Sequence, residues 1–139
     1  MARRSRNAPQ SRPALSALEL EVMDTVWSLG DCTSAQVTVE FQKKRPLAPT
    51  TIRTVLSSLR DKRYIEPIPT IGRGFMWHPV VPRESVARRS LRELLATLFQ
   101  GSPRQAIACM LDDSDMTDAD LEEIRKLIET RRDRGTKVS

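Results

Sequence analysis

The sequence has few aromatic residues, few cysteines and a single histidine. Of its 139 residues, 4% are aromatic and 39% hydrophobic, so a core must consist mainly of Leu, Ile and Val. The two cysteines, Cys32 and Cys109, form neither a disulfide framework nor a cluster with metal-ligand spacing. We therefore expect no metal, no cofactor and a reducing, cytoplasmic environment.

Long apolar runs are also absent. No stretch approaches the length needed to cross a membrane, and residues 1–14 lack the hydrophobic segment of a signal peptide. The sequence therefore predicts a protein without membrane insertion.

Catalytic motifs are missing as well. The chain has no glycine-rich phosphate loop, and sequence places no nucleophile beside its lone histidine, His78. Cys32 follows Asp31 and has no basic neighbour to stabilise a thiolate. Oxidant sensing by Cys32 and Cys109 is an alternative to burial in the core, which we favour for both. An enzyme is not expected.

The net charge of +5 is concentrated at the N-terminus. Residues 1–14 contain four arginines and no acid, whereas residues 15–81 carry +1 and residues 82–139 are neutral. So polar a segment is expected to be disordered when free. A basic arm ahead of a near-neutral body indicates a polyanionic partner, with a solubilising tail as the alternative. The arginines of this arm are Arg3, Arg4, Arg6 and Arg12.

Two capping boxes mark the first two helices. Ser16 and Glu19 form the first, and the helix that follows is expected to end at Gly30. Thr33 and Gln36 form the second, which opens a shorter helix.

The stretch from Pro49 to Lys62 predicts a strongly amphipathic third helix. Its apolar residues share one narrow face, and hydroxyl groups with one guanidinium lie opposite or beside it. Such an outer face suits the DNA major groove. Arg can form two hydrogen bonds with one guanine, while Ser and Thr can hydrogen-bond to base edges or phosphates. An ordinary helix with a solvated outer face is the alternative. The residues on this face are Thr50, Arg53, Thr54 and Ser57.

Two short extended segments, residues 64–68 and 75–79, flank a tip that contains Gly72 and Gly74. This pattern predicts a β-hairpin, and the prolines within it indicate edge strands. Three helices followed by a hairpin are typical of the winged-helix arrangement, a variant of the helix-turn-helix. The predicted fold class is mainly α with a small β-hairpin wing, followed by a C-terminal helical segment.

After Pro82 the apolar pattern predicts three further helices, with a third capping box at Ser102 and Gln105 and a cap at Thr117. Their apolar stripes are too wide for these helices to bury alone, and a second copy of the chain would cover them. The predicted organisation is a disordered arm (1–14), a winged-helix domain (15–81), a helical dimerisation domain (82–132) and a flexible tail (133–139). The dimerisation residues are Leu91, Leu94, Leu95, Leu98, Ile107, Leu121, Ile124, Leu127 and Ile128.

Together these segments resemble the penicillinase-repressor (BlaI/MecI) family of bacterial transcriptional regulators. The resemblance rests, in order, on residues 15–27, residues 50–59, Gly72-Arg73 with residues 77–80, and residues 98–102. It implies a homodimer that binds double-stranded DNA at a palindromic operator and represses a resistance or stress operon. A small dimeric protein-interaction adaptor without sequence-specific DNA binding is the alternative function.

The resemblance also assigns residues. It places Thr50, Thr51, Arg53 and Thr54 on the operator-reading helix and Arg73 on the wing. Of these, we expect Arg53 to read a base and Arg73 to meet phosphate or the minor groove.

The chain departs from the family pattern at several positions. Ala48 stands where the family often has a capping Ser, and Trp77 replaces the usual wing Tyr. Relatives that control β-lactam resistance are inactivated by cleavage at an Asn–Phe bond, which makes a membrane sensor protease system a possible partner. Cys109 and Met110 stand at that bond, so release by this cleavage is in doubt. Residues 110–139 also lack the cysteines of the copper-responsive branch.

Overall fold

The computed structural model describes residues 12–72 and 74–138, with side chains described through residue 135. Within these ranges no helix is both long enough and apolar enough to span a membrane. The elements in chain order are α1 (Ala17–Leu29), α2 (Ser34–Phe41), α3 (Pro49–Asp61), β1 (Ile65–Pro69), β2 (Phe75–Pro79), α4 (Arg83–Leu98), α5 (Pro103–Leu111) and α6 (Asp118–Val138).

The capping boxes predicted for the first two helices are confirmed, and at the third Ser102 Oγ accepts from the Gln105 amide at 3.1 Å. Ser16 Oγ accepts from the Glu19 amide at 3.2 Å, and the Glu19 carboxylate accepts from the Ser16 amide at 2.8 Å. Thr33 and Gln36 form the same reciprocal pair at the start of α2. Helix α1 ends at Leu29 and, as predicted, is capped by Gly30, whose φ of 79° lies in the region that glycine adopts without strain.

The core of the winged helix lies between α1, α2 and α3. The apolar stripe predicted for α3 is buried, because Ile52, Leu56 and Leu59 are each at most 1% exposed. Each such side chain contributes about 1.5–3 kcal/mol on burial. Cys32 is also buried, as predicted, whereas Cys109 is exposed, so its expected place in a core is wrong. Cys109 lies on α5, a helix without buried residues.

The two strands form an antiparallel hairpin in which Ile65 pairs with Pro79 and Pro67 with Trp77. This confirms the wing. On its other side, the Cys32 amide donates to the Trp77 carbonyl at 3.0 Å, and the Trp77 amide donates back at 2.7 Å. The indole of Trp77 donates to Ser34 Oγ at 3.0 Å. The middle of β2 is therefore fixed to the start of α2.

The last residues of the predicted arm belong to the folded domain. Arg12 is only 8% exposed and donates from Nε to the Arg63 carbonyl at 2.7 Å. Arg89 on α4 donates to the Arg12 carbonyl at 2.6 Å, and the Tyr64 hydroxyl donates to the Pro13 carbonyl at 2.7 Å. The expectation that Arg12 is disordered is therefore wrong, because its guanidinium is hydrogen-bonded within the domain. Arg3, Arg4 and Arg6 lie outside the described residues.

The chain divides into two compact units within α4, between Leu91 and Arg92. The boundary expected between residues 81 and 82 lies earlier in the chain than this division. The first unit extends into α4 because Val86 belongs to its core. In the second unit, no side chain between residues 92 and 135 is buried. Its last helix continues to Val138, through residues expected to form a flexible tail.

Candidate nucleic-acid interface

The N-terminal turn of α3 is open to solvent. Pro49 occupies the first helical turn, and Ala48 at the N-cap supplies no side-chain hydrogen bond, as the sequence predicted. The first amides of the helix therefore have no side-chain acceptor. Exposed amides at the positive end of a helix bind phosphate well.

The outer face of α3 carries the residues that the sequence proposed for DNA contact. Thr50, Thr51, Arg53 and Thr54 are exposed, whereas Ser57 is half-buried. The Thr54 hydroxyl donates to the Thr50 carbonyl at 3.0 Å, so its proton is engaged while its oxygen can still accept. The structure thus brings four of the five α3 residues onto one accessible surface.

Arg53 differs from the basic residues around it in having no ionic partner. Between positions 41 and 60, a stretch described in full, the chain has five basic residues and no acid. Arg53 alone among them makes no ion pair there. The four others are paired with acids: Lys43 with Glu40, Lys44 with Asp24, Arg45 with Glu21 and Arg60 with Asp61. Its guanidinium is consequently available to an anionic or base-edge partner.

A buried carboxylate holds the other end of α3. Glu19 on α1 accepts from Lys62 Nζ at 2.7 Å and from the Ser58 hydroxyl. Burial by itself would raise the pKa of Glu19, but the hydrogen bonds from Lys62, Ser58 and the Ser16 amide outweigh it and lower the pKa to about 2. The ionised carboxylate therefore joins α1 to α3 at neutral pH. Sequence reasoning assigned Glu19 only its capping role.

A second carboxylate joins α1 to the turn after α2 and to α4. Asp24 on α1 accepts from Lys44 at 2.9 Å and from Arg83, the first residue of α4. The hydrogen bonds from Lys44, and then Arg83, lower the pKa of Asp24. The Arg83 guanidinium also lies over the Trp27 ring, 5.2 Å from its centroid. No sequence pattern signalled this cluster, since its members are far apart in the chain.

The wing tip turns at two glycines with positive φ, Gly72 at 93° and Gly74 at 85°. Arg73, predicted to contact DNA from this tip, lies outside the described residues. Along β2, the Phe75 and Trp77 rings meet edge to face with centroids 4.8 Å apart. His78 Nδ1 lies 2.6 Å from the Asp31 carboxylate, so the one histidine is part of the link between the wing and the α1–α2 loop.

Comparison with known proteins agrees with this architecture. The sequence profile described as "Penicillinase repressor" matches residues 15–130. The methicillin resistance regulatory protein MecI of Mammaliicoccus sciuri is 21% identical over 114 residues, covering 82% of this chain and 92% of that protein. The penicillinase repressor of Bacillus licheniformis is 23% identical over 122 residues, covering 88% and 94%.

Among solved structures, the chain is similar to the solution structure of the Bacillus licheniformis BlaI monomeric form in complex with the blaP half-operator. The TM-score is 0.46 and the identity 30%, over 52% of this chain and 88% of that one. The profile match covers most of the chain. The chain therefore belongs to the penicillinase repressor (BlaI/MecI) family, whose members are transcriptional regulators and not enzymes.

Proposed function

We propose that the protein is a homodimeric repressor that binds a palindromic operator in cytoplasmic DNA through α3, the wing and the N-terminal arm. By its family, the regulated genes form a resistance or stress-response operon. The residues proposed to contact DNA are Thr50, Thr51, Arg53, Thr54 and Ser57 on α3, Arg73 on the wing, and Arg3, Arg4 and Arg6 in the arm.

The unpaired guanidinium of Arg53 is the observation that carries this proposal. It projects from an exposed face near the N-terminus of α3, while the opposite face is held in the core by Ile52 and Leu56. A rigid helix with an accessible arginine near its N-terminus fits direct readout in the major groove, where Arg bonds guanine O6 and N7. The hydroxyls of Thr50 and Thr51 beside it suit phosphate or base edges.

Dimerisation is supported by the second unit. A segment without one buried side chain between residues 92 and 135 cannot be stable through its own core. Leu94, Leu98, Ile107, Leu121, Leu127 and Ile128 are exposed, as is Leu91 at the end of the first unit. Leu95 and Ile124 are half-buried. A second copy that covers these side chains would supply the missing core.

The release mechanism is proposed to differ from cleavage by a membrane sensor protease. Cys109 and Met110 occupy the bond that corresponds to the family's cleavage site, and both are exposed on α5. The position is accessible, but its residues are not the Asn–Phe pair that the family resemblance associates with cleavage. The inducing signal therefore acts elsewhere in the chain or through another chemistry.

Binding of the full-length chain to DNA fragments at several salt concentrations tests the proposal. We expect tight binding to the native operator, and weak binding to a single half-site. The logarithm of affinity should fall steeply with the logarithm of salt concentration, because phosphate contacts release counterions. A chain that is dimeric yet shows no preference for any sequence over random duplex would favour the adaptor.

A further inference from the structure

The apolar residues of α6 are arranged symmetrically about Arg125, in the N-terminal half of the helix. Leu121 and Ile128 lie at nearly equal distances in sequence on either side of Arg125. The same is true of Ile124 and Leu127. Charged residues continue the pattern outward, with Asp120 on one side and Arg131 on the other. At about 100° per residue, Asp120 and Arg131 fall on the same stripe as the apolar residues.

The acidic and basic residues of α6 are concentrated at opposite ends of the helix. Residues 118–123 contain four acids and no base, whereas residues 131–138 contain four bases and one acid. The basic end lies beyond residue 130, where the match to the family profile stops.

The apolar stripe of α6 is exposed to solvent in the described chain. Leu121 is 40%, Leu127 69% and Ile128 51% exposed. Asp120 and Arg131, at its two ends, are exposed as well. One carboxylate oxygen of Asp120 accepts from the Thr117 amide at 3.1 Å, which leaves the other oxygen able to accept a second hydrogen bond.

We propose that the α6 helices of two copies pack antiparallel across a two-fold axis near Arg125, with Asp120 of each copy facing Arg131 of the other. This inference rests on the dimer of the proposed function and specifies the orientation of its helices. In an antiparallel pair, the apolar residues of the two copies meet in the middle and opposite charges meet at both ends. A parallel pair would place Asp120 beside Asp120 and Arg131 beside Arg131, which costs energy.

Charge-reversal variants of the full-length chain test the orientation. Arg131→Glu should weaken the homodimer about tenfold or more, because the two-fold axis converts two attractive pairs into two repulsive ones. Asp120→Lys should weaken its own homodimer for the same reason. An equimolar mixture of the two variants should form a heterodimer of near wild-type affinity, since each remaining charge then meets its opposite.

Lys126→Glu is the matched control, because Lys126 lies on the opposite side of α6 and the substitution changes the net charge equally. Sedimentation equilibrium gives each dissociation constant, and circular dichroism verifies helix content. If Arg131→Glu weakens the dimer no more than Lys126→Glu, or if mixing does not restore affinity, the antiparallel arrangement is wrong. A wild-type chain that dimerises and binds its operator would then leave the proposed function intact. A monomeric wild type would overturn both.

Discussion

The ammonium group of Lys62 donates a hydrogen bond to the buried carboxylate of Glu19 at 2.7 Å. This bond joins the first turn of α1 to the residue that ends α3. Lys62 also donates to the Ala14 carbonyl at 3.0 Å, so the N-terminal segment meets the same point. The orientation of the proposed reading helix thus depends on a polar contact outside its DNA-facing surface.

The first prediction concerns the pH dependence of this contact. Because folding lowers the pKa of Glu19 from 4.5 to about 2, its stabilisation is fully present above pH 4.5 and is lost as the pH falls toward 2. This contribution is up to about 3 kcal/mol. In Glu19→Gln it is absent, so the variant should lose less stability than wild type between pH 5 and pH 2. Urea unfolding across this range measures the difference, and parallel curves would contradict the assignment.

A second prediction separates the arm from the segment that packs on the domain. Deleting residues 1–11 should leave the free energy of unfolding nearly unchanged, while deleting residues 1–14 should lower it by about 2–3 kcal/mol. The longer deletion removes the acceptors of Tyr64, Lys62 and Arg89, and Tyr64 is only 2% exposed. Chemical denaturation of both truncated chains provides the comparison. Equal stabilities would show that residues 12–14 do not support the fold.

The shorter deletion also isolates the proposed DNA contacts of the arm. If Arg3, Arg4 and Arg6 each contact a phosphate, removing residues 1–11 should reduce the salt slope of binding by about 0.9 per contact. Titrations of the operator and of random duplex should show the same reduction. A slope equal to that of the intact chain would place the arm away from DNA.

The two thiols should differ in reactivity. Burial, with a contribution from Asp31, raises the pKa of Cys32 to about 11, so little reactive thiolate exists at pH 8. Cys109 is exposed on α5. Titration of native protein with a disulfide reagent should therefore modify Cys109 first, and Cys32 only after unfolding. Cys109→Ser should have no rapidly reacting thiol, and rapid modification of that variant would contradict the burial of Cys32.

Local signals account for most of what the sequence predicted correctly. Capping at Ser16 and Thr33, the apolar stripe of α3 and the glycine-flanked wing each involve residues close in the chain. Hydrogen bonds and helical periodicity within one segment determine such features.

What the sequence did not predict depends on contacts between distant segments. Arg12 belongs by composition to a disordered arm, yet the backbone carbonyl of Arg63 binds its side chain. Glu19 meets Ser58 and Lys62 only after α1 and α3 have packed together. Cysteine is a residue type that is typical of protein cores, which is why Cys109 was expected to be buried. It is exposed because the helix that carries it, α5, has no buried residues.

Specificity profiling of Arg53→Ala tests the central claim most directly. Affinities for a library of single-base operator variants should be compared among the wild type, Arg53→Ala and Arg73→Ala. If Arg53 forks onto guanine, its removal should cost about 1–3 kcal/mol on the operator and abolish the preference at one position in each half-site. The free energy of unfolding should barely change, because Arg53 is exposed. Arg73→Ala should lower all affinities with little change in preference. Uniform weakening across the library by Arg53→Ala would show that Arg53 contacts phosphate and would contradict its role as the base-reading residue.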